Sequence, residues 1–461
     1  MDSPDPSVRL RAGAPTPGAA TERARATMTV VWAGTLGGTA VVPVLAGGLD
    51  DAVAAVAPTL VASVPGLADH TVAPRSLADL RPDRMARSLP AARALRDLAD
   101  RDAEGADARA LADTGAPDAW VHKALAHRQA SEAPSAVDRL MRLAGPASLR
   151  DEVDAELARA ERALADDPEV AGLERSWRSL AWLARRLDLR GGVRLVAVTG
   201  ASLDALLDGP ALAQTASRAS LVVVDAHLGP SPRDVERAGR LARLGASAGV
   251  PVLASAAPDL VGADGRHGPV PPVRHTADAA FAGWVGLRGR PEARALALAF
   301  PDVRLVPGRD LWAGGALAVA ADAAAAWSRG DGLPGLGRRP VPDLAADDLA
   351  ATLSPEQVAD LASAGLGALA PSGTDVVVRA APSAATGGGA AREAALSLPA
   401  ALFAARLRQA LDGSDDPGSA LARELDGWGR LETDADGLRA VLPAAATPVL
   451  RADVGVRLGG P

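Results

Sequence analysis

Residues Leu221–Pro258 read LVVVDAHLGPSPRDVERAGRLARLGASAGVPVLASAAP, and this stretch decides the fold. It begins with a β-branched run, Leu221–Asp225, which is typical of a buried strand. Ser231–Asp234 then supplies a serine N-cap, a proline at the first helical position and an aspartate in the first turn, so a helix is predicted to start there. A second apolar run, Pro251–Ala256, follows. Strand, helix and strand at this spacing predict a βαβ unit, and hence a parallel or mixed sheet with helices on its faces.

The alternation of strand and helix continues on both sides of this unit. Upstream, Val193–Val198 (VRLVAV) alternates like a strand, and Ser202–Leu207 has the length of a short helix. Downstream, Trp284–Leu298 predicts a helix that is interrupted at Pro291, and the alanine-rich stretch Leu311–Trp327 predicts another helix. The predicted fold class is therefore α/β, a mixed sheet with flanking helices.

Regular elements are also predicted toward both ends of the chain. Met28–Ala33 (MTVVWA) predicts the first strand, after a Pro- and Gly-rich segment, residues 1–26, that we expect to be a flexible arm. Residues 101–135 have weak periodicity and predict a connector that is helical in part. The other predicted elements are a strand at Thr71–Ala73, helices at Met85–Asp100 and from Leu149 to about Leu187 with a break at Pro168, a capped helix start at Ser354–Gln357, a strand at Asp375–Arg379, a helix at Leu398–Leu411 and one closing strand at Val449–Leu458.

Composition narrows the function classes. The 461 residues suffice for two or three domains, and 48% of them are apolar. The net charge of -7 argues against a surface for nucleic acid, which needs clustered basic residues. The chain has no cysteine, which excludes disulfides, thiolate catalysis and cysteine-ligated zinc. No secretory leader and no stretch of about 18 apolar residues occurs, so we expect a cytoplasmic protein without membrane insertion.

Few catalytic motifs occur. Gly245–Gly249 (GASAG) matches the letters of the GxSxG hydrolase motif, but that motif needs a strand before the serine and a helix after it, and here the order is reversed. There is no phosphate-binding GK[ST] sequence and no HExxH zinc motif. Asp225 and His227, alternate residues at a strand end, are the best enzymatic hint. Because no nucleophile, metal cluster or phosphate loop accompanies them, we predict no enzyme, no catalytic or metal site and no cofactor.

Residues 173–258 resemble a known family. Leu173–Leu180 (LERSWRSL) is similar to the "LEASWRGL" element of the large subunit of the type VI secretion contractile sheath, the TssC/VipB family. The strand Leu221–Asp225, the helix start Ser231–Glu236 (SPRDVE) and the strand Val250–Pro258 follow in the order and spacing of that family. Residues 307–316, 353–375 and 398–406 resemble its later motifs.

The N-terminal part resembles the small subunit of the same sheath, the TssB/VipA family. Met28–Gly34 lies where that family has its opening strand, and Ser76–Asp83 (SLADLRPD) is similar to its "SLDDFHPD" element. The resemblance implies a fusion of the two subunits. The implied divisions are a flexible arm at 1–26, a small-subunit-like domain at 27–115, a connector at 116–150 and a large-subunit-like domain at 151–461.

This resemblance implies a contractile-sheath, phage-tail-sheath-like architecture and a mechanical role. Copies would stack into a helical tube around an inner tube and contract by rigid-body repacking. The implied partners are other copies or other sheath subunits, an inner-tube protein, a baseplate and a recycling AAA+ unfoldase. Met28–Ala33 and Val449–Leu458 are the expected edge strands between copies. The candidate structural or interface residues are Trp177, Arg178, Asp225, Ser231, Pro232, Arg233, Asp234, Trp312, Val30 and Val454; for Trp177 and Trp312, packing within one copy is the favoured interpretation.

Two other hypotheses stay open at this point. A shortened sheath relative could cap, seed or regulate a contractile device; it would bind a full-length sheath without polymerising alone. Alternatively, the chain is an enzyme that uses Asp225 and His227, which would require convergent polar groups at that strand end.

Overall fold

The computed structural model describes residues 8–10, 27–62, 70–131, 149–273, 275, 278–328, 336–337, 339–386, 398–411, 416–425, 429–434, 437–442 and 454–458. Its strands are β1 Val8–Leu10, β2 Met28–Gly34, β3 Ala40–Val44, β4 Leu60–Ala62, β5 His70–Val72, β6 Val193–Thr199, β7 Leu221–Leu228, β8 Val252–Ala256, β9 Leu296–Phe300, β10 Val303–Arg304, β11 Trp312–Ala313, β12 Leu366–Ser372, β13 Asp375–Ala380, β14 Arg430–Asp434, β15 Gly437–Leu442 and β16 Val454–Leu458.

The structure describes fifteen α-helices over the residues given above. They are α1 Leu49–Val56, α2 Pro82–Ser88, α3 Pro90–Ala103, α4 Ala108–Ala112, α5 Asp118–Ser131, α6 Leu149–Asp166, α7 Pro168–Arg186, α8 Leu203–Asp208, α9 Pro210–Ala216, α10 Pro232–Ala248, α11 Ala282–Arg288, α12 Ala316–Ser328, α13 Pro355–Ser363, α14 Leu398–Leu411 and α15 Pro417–Leu425. Short 3₁₀ turns lie at Pro258–Val261, Ala279–Phe281, Pro291–Ala295 and Ala346–Asp348.

The chain forms two compact units, residues 1–49 with 178–461, and residues 50–177. The first contains an eight-stranded mixed sheet in the order β13-β12-β9-β8-β7-β2-β6-β3. The inner strands run parallel, and the edge strands β13 and β3 are antiparallel to their neighbours. The predicted β7–α10–β8 unit is confirmed, and so is the α/β class with flanking helices.

Helices cover both faces of this sheet. Alternate residues of the inner strands, among them Val222 and Val252, pack with α10 in a core that also includes α8, α9, α11 and α13. The neighbouring residues face α12, as the bond from Ala316 to Ser255 shows. Nearly every residue of α12 is buried, which is expected of a helix that is apolar all round.

The second unit, residues 50–177, is largely helical. In it α6 packs against α2, α3 and α5, and β4 pairs with β5 in a small antiparallel hairpin. Its buried residues include Met85, Leu95 and Leu98, which have the helical spacing seen in the sequence. The division of the chain by family resemblance, at residues 27, 116 and 151, stays a prediction.

Four sequence expectations need correction. The helix predicted over Trp284–Leu298 gives way after Arg288 to a 3₁₀ turn and then to β9, whose five residues are all buried; burial inside the sheet outweighs the helical preference of alanine and leucine. The helix predicted from Leu311 begins at Ala316, after β11. Residues 101–135, predicted as a connector that is helical in part, are helical over most of their described residues, which include α4 and α5.

The fourth correction concerns the C-terminal part of the chain. One closing strand is predicted at Val449–Leu458, but β14, β15 and β16 form a four-stranded sheet with β1, in the order β1-β16-β15-β14. Residues 449–453 lie outside the described residues, and so does most of the predicted arm at 1–26, in which Val8–Leu10 forms β1.

Candidate functional site

Polar side chains meet at the carboxyl ends of β7, β8 and β9, where open α/β sheets commonly bind ligands. Asp225 and His227 lie on β7, and Asp302 follows β9. His227 is the register partner of Ser255 on β8. The strand end singled out from the sequence is therefore a real cluster, but its central residue, Asp302, was missed.

Asp302 connects two segments of this cluster. Its Oδ1 lies 2.7 Å from Nε2 of His227, and its Oδ2 accepts a hydrogen bond of 2.9 Å from Nε of Arg266. Burial alone would raise the pKa of this carboxyl, which is only 3% exposed, but His227 and Arg266 outweigh burial, so the pKa of Asp302 lies below its usual value. Both carboxylate oxygens of Asp302 thus have a partner, His227 at Oδ1 and Arg266 at Oδ2.

Ser255 is engaged in the packing of α12. Its Oγ accepts a hydrogen bond of 3.2 Å from the backbone N–H of Ala316, and its side chain is buried. A Cβ added at Gly314 would lie 1.8 Å from Ser255 Oγ, so only glycine allows the backbone to approach this closely. Ser255 therefore holds the start of α12 against the sheet.

The loop after β8 crosses the same strand ends. His267 Nδ1 lies 2.9 Å from the carbonyl oxygen of Ala350, and its ring packs edge-on against Trp312 at 4.9 Å between centroids. Arg304 lies over the same Trp312 ring, 4.8 Å from its centroid. With the Arg266–Asp302 pair, these contacts fasten the loop to the end of the sheet.

Asp225 differs from the rest of the cluster. It is partly buried, and its Oδ2 has no hydrogen-bond partner among the described residues. His227 is paired with Asp302 rather than with Asp225. A His–carboxylate pair can orient a general base. Over the described part of the chain, no three His, Asp or Glu side chains come together in a way that could hold a metal ion.

The SPRDVE motif forms the capped start of α10. Ser231 Oγ accepts a hydrogen bond of 3.2 Å from the N–H of Asp234 and donates one of 2.9 Å to Asp234 Oδ2. Pro232 occupies the first helical position, as predicted. At the other end, Gly249 adopts a left-handed conformation with φ 64°, which stops the helix. The Gly245–Gly249 match thus lies where the helix ends and before a strand.

Arg233 takes part in an ion-pair network between α8 and α10. Its Nη2 lies 2.8 Å from Oδ2 of Asp204, and Arg237 binds both oxygens of the same carboxylate at 2.8 Å. The hydrogen bond from Arg237, followed by that from Arg233, holds the pKa of Asp204 well below its usual range. The network is partly exposed and ties two helices of one face together.

The other candidate residues lie apart from this cluster or from one another. Trp177 is fully buried in α7, and Arg178 follows it. Trp312 is buried and donates from Nε1 to Asp310 Oδ1 at 2.5 Å. Val30 is fully buried in β2, and Val454 pairs with Leu442 in the four-stranded sheet. The buried tryptophans agree with packing within one copy.

The predicted edge strands take different positions in the structure. β2 lies inside the eight-stranded sheet, between β7 and β6, so the prediction that Met28–Ala33 forms an exposed edge is wrong. β16 pairs with β15 on one side and with β1 on the other. Among the described strands, β1 and β14 are the outer ones of the four-stranded sheet. Strand edges carry unpaired backbone groups and are natural places for another chain to bind.

A cleft of about 400 Å³ lies between α5 and α6. Trp120 and Lys123 line one side, and Glu152 and Glu156 line the other. Lys123 contacts Glu152 and also lies 4.7 Å from the centroid of the Trp120 ring. The charges in the cleft are thus matched within the chain. Among the described helices, none has the length and apolar character needed to cross a membrane.

Comparisons with known proteins find structural similarity over about half of the chain. No model of a known protein family matches the chain, and no curated protein matches it. One similar solved structure is the cryo-EM structure of the anti-feeding prophage baseplate, 6-fold symmetrised, with 15% identity over 50% of this chain and 55% of that chain and a TM-score of 0.34. Another is the anti-feeding prophage helical sheath in its contracted state, with 18% identity over 54% and 59% and a TM-score of 0.33. The chain spans little more than half the length of either.

Proposed function

We propose that the chain is a structural subunit of a contractile sheath of the type VI secretion kind. In this proposal copies assemble into a helical tube around an inner-tube protein, one end of the tube binds a baseplate, and the tube contracts when rigid subunits repack. A recycling unfoldase would act on the contracted form. The role is mechanical, and no catalytic step is included.

The four-stranded sheet carries the proposal. It combines strands from both ends of the described chain: β1 pairs in parallel with β16, with Val8 opposite Val456 and Leu10 opposite Leu458. Residues 11–27 connect β1 to β2, and residues 443–453 connect β15 to β16. A sheet built from terminal strands can be completed by the same strands of a neighbouring copy, and its backbone hydrogen bonds would keep copies attached while they move.

The arrangement of the resembling segments supports a fusion of two sheath subunits. β2 belongs to the segment that resembles the small subunit, whereas β6 and β7 belong to the segment that resembles the large one. Met28–Gly34 pairs with Val193–Thr199 on one side, and Val30–Ala33 pairs with Leu221–Val224 on the other. Because β2 is an inner strand, neither segment could complete this sheet alone.

The direct test is negative-stain electron microscopy of the purified chain, alone and mixed with an inner-tube protein of a contractile system. We expect tubes in at least the mixed sample. Globular monomers in both samples would contradict the proposal. Binding to the end of a full-length sheath without tube formation would instead favour the hypothesis of a cap, seed or regulator.

Two truncations test the role of the terminal strands. Removal of residues 1–10 deletes β1, while removal of residues 1–7 leaves it in place and serves as the matched control. We expect the shorter deletion to form tubes and the longer one to lose them. Equal tube formation by both variants would mean that β1 does not connect copies.

The polar cluster at the strand ends has a structural role in this proposal. Both oxygens of Asp302 are bonded and Ser255 holds the start of α12, so these groups fasten a loop and a helix to the sheet. The enzyme hypothesis depends on Asp225 and His227. An Asp225→Ala variant that still forms tubes agrees with the proposal, whereas loss of a measured catalytic activity in that variant would establish the enzyme.

A further inference from the structure

The outer side of β3 is accessible to another strand. β3 pairs with β6 through Ala40–Val44, and no strand of the described residues lies on its other side. The turn before it is fixed, because Thr199 Oγ1 accepts a hydrogen bond of 2.9 Å from the N–H of Leu36 and donates one of 3.0 Å to the carbonyl of Gly38. Strand edges of this kind bind extended peptides through backbone hydrogen bonds. β3 is therefore a place where a strand of another chain can be added.

The side chains exposed along this edge are apolar. Val41 is 48% exposed, and Leu45, which follows β3, is 68% exposed. The two lie on the same side, because side chains alternate along a strand. Within the described residues one further large hydrophobic side chain is so exposed, Val61, which belongs to the other unit. The edge thus favours a partner strand that has apolar residues on its facing side.

Three exposed arginines, Arg185, Arg190 and Arg194, form an arginine cluster at the end of β3. Arg185 and Arg190 line a cavity of about 270 Å³ together with Leu45. Arg194 lies beside the same end, because it precedes the residue of β6 that pairs with the last residue of β3. In the part of the chain that the structure describes, none of the three forms an ion pair. An acidic partner would therefore meet positive charge directly beside the apolar side chains of the edge.

The acid that lines this cavity, Asp188, lies against its own turn. A Cβ added at Gly191 would lie 2.2 Å from Oδ2 of Asp188, so the carboxylate lies close to the backbone three residues further on. The same turn is closed by a hydrogen bond of 3.1 Å from the N–H of Gly191 to the carbonyl of Asp188. The surface therefore keeps an excess of positive charge.

The described strand edges of a second copy do not supply the complementary charge. β1 has the sequence VRL and is basic, and β4 and β5 have the sequences LVA and HTV, without an acid. In β14 the carboxylate of Glu432 is bonded at 2.7 Å to Arg430 of the same strand. The outer side of β13 already accepts hydrogen bonds from residues 341 and 346. Over the described side chains, none of these edges offers a free carboxylate, so a different protein fits the surface better than a second copy.

We propose that β3 binds an extended, acidic segment of a partner protein that is not a copy of this chain. The segment adds a strand to the outer side of β3. Its alternate apolar residues lie against Val41 and Leu45, and its carboxylates lie toward the arginine cluster. Because Pro43 has no N–H, the backbone ladder is short, and side chains and charge supply much of the attraction. This contact goes beyond the proposed tube and does not depend on it.

Disulfide capture tests the contact, since the chain has no cysteine of its own. The acidic probe is a synthetic peptide of alternating threonine and valine, with two glutamates in place of valines at its N-terminal end and one cysteine in place of a later valine. An antiparallel strand of this sequence brings the glutamates to the end of β3. The basic probe has arginines instead of the glutamates. Facing residues on paired strands have Cα atoms about 4.5–5.5 Å apart, a distance that a disulfide spans.

The full-length Val41→Cys variant is equilibrated with each peptide in a thiol buffer, and the captured fraction is measured by mass spectrometry. The full-length Val61→Cys variant is the matched control, because Val61 is 55% exposed on a strand of the other unit. We expect Val41→Cys to capture the acidic peptide about five- to tenfold more strongly than the basic one, the factor that two exposed ion pairs give. Val61→Cys should show no such preference.

Charge reversal sharpens the test. In the Val41→Cys background, the combined substitutions Arg185→Glu, Arg190→Glu and Arg194→Glu should transfer the preference from the acidic to the basic peptide. A damaged fold cannot imitate this result, because the reversed variant has to gain binding of one peptide. A preference for the acidic peptide that survives the reversal would show that the arginine cluster does not face the partner, and would overturn the inference.

Four further outcomes overturn it. Equal capture of both peptides by Val41→Cys would show that charge does not select the partner, and capture no stronger than that by Val61→Cys would show that β3 is no site. Equal capture of an acidic peptide with prolines in place of its threonines would show that no strand is added. A disulfide-linked dimer of Val41→Cys in excess over that of Val61→Cys would assign the edge to a second copy. Each result is obtained without tubes, so failure here leaves the proposed function standing, and failure of the microscopy test leaves this contact standing.

Discussion

The two outer strands of the eight-stranded sheet, β13 and β3, differ in whether the chain itself covers them. At β13 the chain covers its own edge: the N–H of Val341 donates to the carbonyl of Val376 at 2.8 Å, and the N–H of Ala346 donates to that of Thr374 at the same distance. Arg186 holds this covering segment through the carbonyls of Pro342 and Asp343. At β3 no described segment pairs with the outer side, and the exposed side chains there are apolar.

If the chain assembles as proposed, the difference separates the edge that it needs for folding from the edge that it would use for association. Strand edges bind other strands without much discrimination, and proteins usually protect them. Here β13 is protected by the chain itself, whereas β3 keeps an accessible edge that is limited by Pro43. We therefore expect substitutions at β13 to act on stability and substitutions at β3 to act on assembly.

The largest expected effect is that of Val376→Asp on the covered edge. Val376 is fully buried in β13, so the substitution places an unpaired charge in the core. We expect the free energy of unfolding to fall by about 4 kcal/mol or more. Urea denaturation followed by the fluorescence of the eight tryptophans measures this loss. A loss below about 1 kcal/mol would show that this edge is not sealed.

Asp302→Asn shows how much stability a substitution costs at a buried position away from both edges. Removal of the charge leaves His227 and Arg266 without their carboxylate, so we expect a loss of about 3 kcal/mol at pH 7. The folded-state pKa of Asp302 is below its usual value, so its stabilisation is present above about pH 4 and is lost as the pH falls through the lowered pKa. The difference between the variant and the parent should accordingly shrink on acidification. Urea midpoints at pH 7 and pH 3 test this, and a constant difference would contradict it.

Arg186→Met removes the two hydrogen bonds that hold the cover of β13. Burial lowers the pKa of Arg186 to about 10, so the side chain stays charged at neutral pH and donates strongly. We expect a loss of about 2 kcal/mol and faster hydrogen exchange at Val341 and Ala346. Arg185→Met, one residue earlier and exposed, is the control and should change stability by less than about 0.5 kcal/mol. Unchanged exchange would mean that the cover does not depend on Arg186.

Val41→Asp should have the smallest effect on stability. Val41 is about half exposed, so we expect a change below about 0.5 kcal/mol in the free energy of unfolding. The same variant should lose tube formation, because it places a charge on the apolar face of β3. A large loss of stability with normal tubes would reverse the contrast between the two edges.

Local signals predicted the centre of the fold. The β7–α10–β8 unit follows from an apolar run, a serine cap and a proline at the first helical position, all of which act within a few residues. The capping box at Ser354 and Gln357 is confirmed for the same reason, with reciprocal hydrogen bonds of 3.2 and 2.7 Å. Where neighbours in sequence decide the structure, the sequence predicts it well.

Contacts between residues that are far apart in the sequence were harder to predict. The helix predicted over Trp284–Leu298 includes the first three residues of β9, because alanine and leucine favour helices. Burial between β8 and β12 makes these residues part of a strand. The β14–β15 hairpin had a local signal, an aspartate followed by Gly437 between alternating apolar residues, which was overlooked. Within the candidate site, His227 was identified, but its partner Asp302 lies 75 residues away. The sequence signal for Asp302 was its position shortly after a buried strand, β9.

The position of β2 sets an order of events during synthesis. β2 leaves the ribosome early, yet both of its neighbours, β6 and β7, lie far downstream. Roughly 190 residues separate Gly34 from Leu228, so at about 5–20 residues per second the strand waits about 10–40 s for its place in the sheet. During that time the uncharged run MTVVWAG has the composition of a segment that aggregates. We therefore expect this strand to need shielding in the nascent chain, by other parts of the protein or by a chaperone, until β7 has been made.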